Sequence, residues 1–192
     1  MEKHRLLAMT DGVVAIIITI MVLDLKLPAG ADFAALRQDG PVFLAYGLSF
    51  IYIAIYWNNH HHYFHLVHQV NGAVLWANFH LLFWLSLVPF ATAWMGTHDF
   101  AQQPTAVYGV ALLMPAIAFR VLQHVAIAAE PASALGALLG RDFKGTVSPL
   151  LYAAGIALSF FVSSWAGLAC YLAVALLWLV PDRRMEKLAA RG

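Results

Sequence analysis

Charged residues are absent from two long stretches of the chain, Gly40–His98 and Gly145–Pro181, and scarce in the segment between them. A helix needs about 20 residues to cross a hydrocarbon core of about 30 Å. The first stretch therefore predicts two spans, about 41–59 and 74–97, with a turn near His60–Asn71. The second predicts two shorter spans, about 147–162 and 165–180, hinged at Ser163-Ser164 and closed by Pro181. Pro104 suits the first turn of a further helix over about 105–128, which carries a single charge, Arg120. Pro89 and Pro115 fall inside predicted spans, where a missing N–H predicts a kink.

The remaining span lies at the start. Arg5–Leu27 holds Asp11, then an uncharged run, then Asp24-Leu-Lys-Leu-Pro28. At about 1.5 Å per residue it reaches across a bilayer core. An ionisable side chain inside such a helix is expensive, so Asp11 has to serve the fold or a site. At 100° per residue, Ile16, Thr19, Ile20, Leu23 and Leu27 share one face with Gly12. Asp11 stands about 140° from Ile16 and Thr10 about 120° from it, so stripe and polar pair address different surfaces. The stripe is read either as pore-facing or as an ordinary lipid-facing or core face.

Composition sharpens the class. Of 192 residues, 62% are hydrophobic and 11% charged, with a mean hydropathy of +0.74, whereas soluble domains carry about 25% charged residues. The prediction is an all-α, multi-pass integral membrane protein, one domain of six helices over 1–192. A net charge of +1 with no basic, aromatic-rich cluster gives no footprint for nucleic acid. Cys170 is the single cysteine, which excludes an intrachain disulfide. Arg5 and Asp11 interrupt the run that a cleavable signal would need, and no internal repeat stands out. Lys3, Arg5, Arg141, Lys144, Arg183, Arg184, Lys187 and Arg191 fall on one side of six spans, and Lys26 and Arg37 on the other. The positive-inside rule then places both termini in the cytoplasm.

Two constellations carry candidate chemistry. Trp57, His60 and Asn78 lie at the depth of Asp11, and with Thr10 and Arg5 they are expected to form a buried polar network that fastens the first helix. A proton relay through Asp11 and His60 is the functional alternative, and would suit a proton-coupled secondary transporter. His61, His65 and His68 follow helical i, i+4 and i, i+3 spacing that can hold a metal or sense pH. Replacement of basic residues at an interfacial helix end is the plainer reading of that run, and a His-rich membrane metalloprotein the more elaborate one. Arg120 is expected to snorkel or to pair across helices. Asp24, near the outer end of the stripe, either concentrates cations at a pore mouth or solvates the helix end.

Arg5-x-x-x-Met9-Thr10-Asp11-Gly12, followed by Ala15-Ile16 and Thr19, resembles the transmembrane protein 175 family of potassium channels. That family opens its first helix with Arg-x-x-x-Phe-Ser-Asp. Trp57-Asn58-Asn59-His60 is similar to its Trp-x-x-His element, Trp76-Ala77-Asn78 and Pro89-Phe90 to its third-helix pattern, and Arg141…Pro149 to its fifth-helix entry. Met9-Thr10 stand where Phe-Ser is usual; Thr keeps the hydroxyl and Met an adaptable apolar contact. The resemblance implies a homotetramer with the first helix of each subunit around a central pore. It also implies passive conduction of K⁺ as the permeant ion, without cofactor, catalytic turnover or a Thr-Val-Gly-Tyr-Gly filter. The constriction implied is an aliphatic ring at Ile16, with Ile20 and Leu23 on the same stripe and Thr19 as the selectivity position.

Overall fold

A computed structural model describes residues 2–131, 136 and 142–179. Among them all regular structure is α-helical: α1 Lys3–Leu23, α2 Phe33–Gln38, α3 Gly40–Leu66, α4 Gly72–Leu85, α5 Val88–Thr97, α6 Gln102–Ala129, α7 Phe143–Phe161 and α8 Ser164–Leu179. Four units are long and apolar enough to cross a membrane: α1, α3, α4 with α5, and α6. This is an integral membrane protein. Arg141, Val180, Arg183, Arg184, Lys187 and Arg191, used above for span limits and orientation, lie outside the described residues.

Three boundaries depart from the sequence pattern for local reasons. The first helix stops at Leu23 rather than Leu27: Asp24 is its C-cap, with its N–H on the Ile20 carbonyl at 3.1 Å. Pro28 disfavours helical backbone at the residue before it, so Leu27 leaves the stripe. The expected 74–97 span is two helices, α4 and α5, parted at Ser86-Leu87. Pro89 has no N–H to give, and its ring would meet the Leu85 carbonyl in a continuous helix. By contrast, α6 runs unbroken through Pro115. Of the histidines expected near a turn, His60, His61, His62 and His65 belong to α3 and His68 lies beyond its end; the 27 residues of α3 span about 40 Å and so overshoot a core of about 30 Å. The short α2 went unforeseen; Asp32 caps it by accepting the Ala35 N–H at 2.8 Å.

Helix α6 packs on α4, α5, α7 and α8, while α1 lies against α3, α4 and α5. One apolar cluster joins Leu6, Val14, Ile17, Phe64, Leu81 and Leu122. A second joins Tyr52, Met95, Leu112, Tyr171 and Val174. Lipid tails are as apolar as leucine, so close packing and hydrogen bonds, rather than escape from water, hold such helices together. Helices α7 and α8 show the packing requirement plainly: a Cβ added at Gly167 would fall 2.6 Å from the Gly155 carbonyl oxygen.

Candidate pore helix and its polar foot

Helix α1 has 21 residues, about 31 Å of rise, enough for one crossing. Its buried positions are Leu6, Thr10, Val14, Ile17 and Met21, a single stripe that faces α3, α4 and α5. Its stripe of large aliphatic side chains does the reverse. Ile16 is 58% exposed, Ile20 45% and Leu23 79%, and Thr19 is exposed among them. The Thr19 hydroxyl donates to the Ile16 carbonyl at 2.9 Å, which turns its lone pairs outward as acceptors. Asp24 is exposed just beyond, where it edges a small crevice with Tyr46, Thr92 and Thr97.

At the other end of α1 the polar residues separate into two sets. The first is buried. His60 Nε2 lies 2.8 Å from Asn78 Oδ1, and Asn78 Nδ2 donates to Thr10 Oγ1 at 3.0 Å. The Thr10 hydroxyl donates in turn to the Leu6 carbonyl at 3.0 Å. Because Asn78 spends its N–H on Thr10, its Oδ1 must accept, which fixes the His60 proton on Nε2. Each hydrogen bond of this network therefore has a direction, across α3, α4 and α1. Phe64 stacks on the His60 ring at 4.4 Å and seals it.

The second set is exposed. Trp57 Nε1 donates to Asp11 Oδ1 at 2.8 Å. Asp11 and Thr10 are adjacent, so 100° of helix rotation sends one to the surface while the other turns inward. This corrects the expectation of a single cluster: Asp11 does not meet His60 or Asn78 by a hydrogen bond. Arg5 is exposed and makes no hydrogen bond with either set among the described residues.

The histidine run is divided as well. His61 stacks on Trp57, and His61 Nε2 and His65 Nε2 share a hydrogen bond of 3.0 Å. His68 turns elsewhere. Its Nδ1 is 3.4 Å from Glu130 Oε2, and its backbone N–H donates to Glu130 Oε1 at 2.7 Å. The candidate ligand set His61, His65, His68 is thus not assembled, and no group of three or more His, Cys, Asp or Glu among the described residues could hold a metal.

Two features escaped the sequence. Glu130 anchors the loop between α3 and α4 to the end of α6 through the N–H groups of His68 and Gln69. A second buried polar knot joins Ser49 to Thr92 at 2.7 Å and to the Tyr108 hydroxyl at 2.9 Å. Hydroxyls placed mid-span were the available signal, since each needs a partner inside a membrane.

The family described as endosomal/lysosomal potassium channel TMEM175 matches residues 5–89, which take in α1, α3, α4 and both polar sets. Over 188 residues the chain is 54% identical to a potassium channel of Chryseobacterium sp. (strain P1-3), with 97% of each chain covered. The chain belongs to the TMEM175 family. The resemblance carried by Arg5, Thr10, Asp11 and Trp57-x-x-His60 is borne out. A crystal structure described as a lysosomal potassium-selective channel TMEM175 homolog from Chamaesiphon minutus matches the fold with a TM-score of 0.80. That match is at 31% identity and covers 93% of this chain and 97% of the other. Human TMEM175, named an endosomal/lysosomal proton channel, is 34% identical over 116 residues, which are 54% of this chain and 23% of the human one. TMEM175 proteins are ion channels, a class without catalytic turnover.

Proposed function

We propose that this TMEM175 protein is a homotetrameric, six-span cation channel that conducts K⁺ passively. The observation that carries the reading is the stripe Ile16, Thr19, Ile20 and Leu23. These positions point away from the subunit's own helices on a span that is otherwise packed against α3, α4 and α5. Four copies of α1 around one axis turn that stripe into a pore wall. The naming of the Chryseobacterium relative as a potassium channel, with near-complete coverage of both chains, supports K⁺ as the permeant ion.

The physical sequence of events follows from the side chains. Rings of Ile16, Ile20 and Leu23 make an apolar constriction that closes by expelling water. The Thr19 ring presents acceptor oxygens that replace part of a cation's hydration shell. Four hydroxyls are fewer ligands than a carbonyl filter provides, so preference for K⁺ over Na⁺ is modest. Asp24 raises the local cation concentration at the mouth. The buried set Thr10, Asn78 and His60, and the exposed pair Asp11 and Trp57, hold the foot of α1 in place. Both termini face the cytoplasm of a bacterial-type plasma membrane.

Proton-coupled transport through Asp11 and His60 is the rival. It needs a path between them, and the two residues sit in separate hydrogen-bonded sets. Proteoliposomes loaded with K⁺ distinguish the two. A channel releases K⁺ without saturation and without a proton gradient, and Thr19→Ala alters its K⁺/Na⁺ preference. Saturable, proton-driven release would establish the transporter instead. An unchanged preference in Thr19→Ala would remove that ring from selectivity.

A further inference from the structure

Arg120 stands 18 residues along α6 from Gln102, about 27 Å at the usual rise, and so at the far boundary of a core of about 30 Å. Its position next to the first turn of α7 agrees with that depth. Arg120 Nη1 donates to Thr146 Oγ1 at 3.2 Å, and the Thr146 hydroxyl donates onward to the Asp142 carbonyl at 2.9 Å. A guanidinium has five N–H donors. Among the described residues no carboxylate lies within ion-pair distance of it. The nearest acid along α7, Asp142, spends its Oδ1 on the Gly145 N–H at 2.8 Å as the cap of that helix. A cation at that boundary lies at the level of the lipid headgroups.

The surface beside Arg120 is shaped for a long apolar object. Ile117, Val121 and Val125 follow at i, i+4 and i+8 along α6, and Pro149 of α7 faces them across an open-sided groove. His124 edges the same groove, with its Nδ1 held on the Arg120 carbonyl at 2.7 Å. Ile117 and Val121 are each about 40% exposed, so the groove faces outward from the subunit.

We propose that this groove is a binding site for an anionic phospholipid, with the phosphate on Arg120 and one acyl chain along Ile117, Val121, Val125 and Pro149. Arginine recognises phosphate with paired, charge-assisted hydrogen bonds, and basic positions between spans are where anionic headgroups dock. A zwitterionic headgroup brings its own ammonium group, whose positive charge offsets the attraction of its phosphate to Arg120. The charge complement is therefore a net anion. A free phosphate ion would satisfy the guanidinium but leave the apolar channel uncovered. The site is independent of which ion the protein conducts.

Lipid retention by the purified full chain in detergent, read by native mass spectrometry, tests this without any ion flux. With equimolar phosphatidylglycerol and phosphatidylcholine, the wild type should retain the anionic lipid about tenfold over the zwitterionic one. Arg120→Gln removes the charge, and Val121→Phe fills the groove with the charge in place; each should bring phosphatidylglycerol down to the phosphatidylcholine level. Equal retention of the two lipids by the wild type overturns the site, as does either variant keeping phosphatidylglycerol at the wild-type level. Displacement of the bound lipid by millimolar inorganic phosphate would assign Arg120 to a soluble anion and equally overturn the lipid site.

Discussion

Asn78 ties three helices with one amide. It lies 1% exposed between Thr10 at 1% and His60 at 3%, and accepts from one while donating to the other. Removing it leaves a buried imidazole N–H without an acceptor, which costs about 1–2 kcal/mol inside a membrane protein. Asn78→Ala should lower the unfolding free energy in a denaturing-detergent titration by that amount. Asn59→Ala supplies the contrast, since among the described residues the Asn59 amide bonds to the Ile55 carbonyl of its own helix alone, at 2.8 Å. Equal stability of Asn78→Ala and wild type would show that the chain through Thr10 holds nothing. The need for partners at Thr10, His60 and Asn78 was legible in the sequence, because polar groups in apolar spans demand them. Their separation from Asp11 was not, because helix phase fixes a residue's angle but not which neighbour stands there.

Helix α1 carries three faces with three tasks. Leu6, Thr10, Val14, Ile17 and Met21 pack inward, Ile16 and its neighbours point outward, and Asp11 occupies the flank about 140° from Ile16. Among the described residues Asp11 bonds α3 through Trp57 alone, at the subunit surface, where the proposed tetramer would bring a neighbouring copy. Asp11→Ala should therefore weaken tetramer assembly, seen as loss of the large species in detergent gel filtration, before it changes ion preference. A stable tetramer with altered K⁺/Na⁺ preference would contradict that division. Element limits were less legible than element faces. Leu23 ends α1 because Asp24 caps it and Pro28 follows, and α4 parts from α5 because Pro89 cannot accept continuous helix behind it. In α6 the same residue type at Pro115 leaves the helix unbroken, so proline alone does not decide the outcome.

At the scale of the whole molecule, low charge and high apolar content made the membrane class readable, and the relatives place the chain in an ion-channel family. The subunit alone leaves the aliphatic stripe of α1 without a partner, which is the ground for the proposal that α1 forms a shared pore wall. Anchors such as Glu130, which clasps the α3–α4 loop from the end of α6, link residues too far apart in sequence for any periodicity to reveal. The pore reading makes Ile16 its narrowest apolar point, so the most direct measurement is planar-bilayer recording of wild type and Ile16→Asn under opposed K⁺ and Na⁺ gradients. The wild type should show unitary currents that reverse toward the K⁺ equilibrium potential, and Ile16→Asn, by wetting the constriction, should raise open probability or leak several-fold. Absence of unitary currents in the wild type, or an Ile16→Asn channel indistinguishable from it, would contradict α1 as the pore helix.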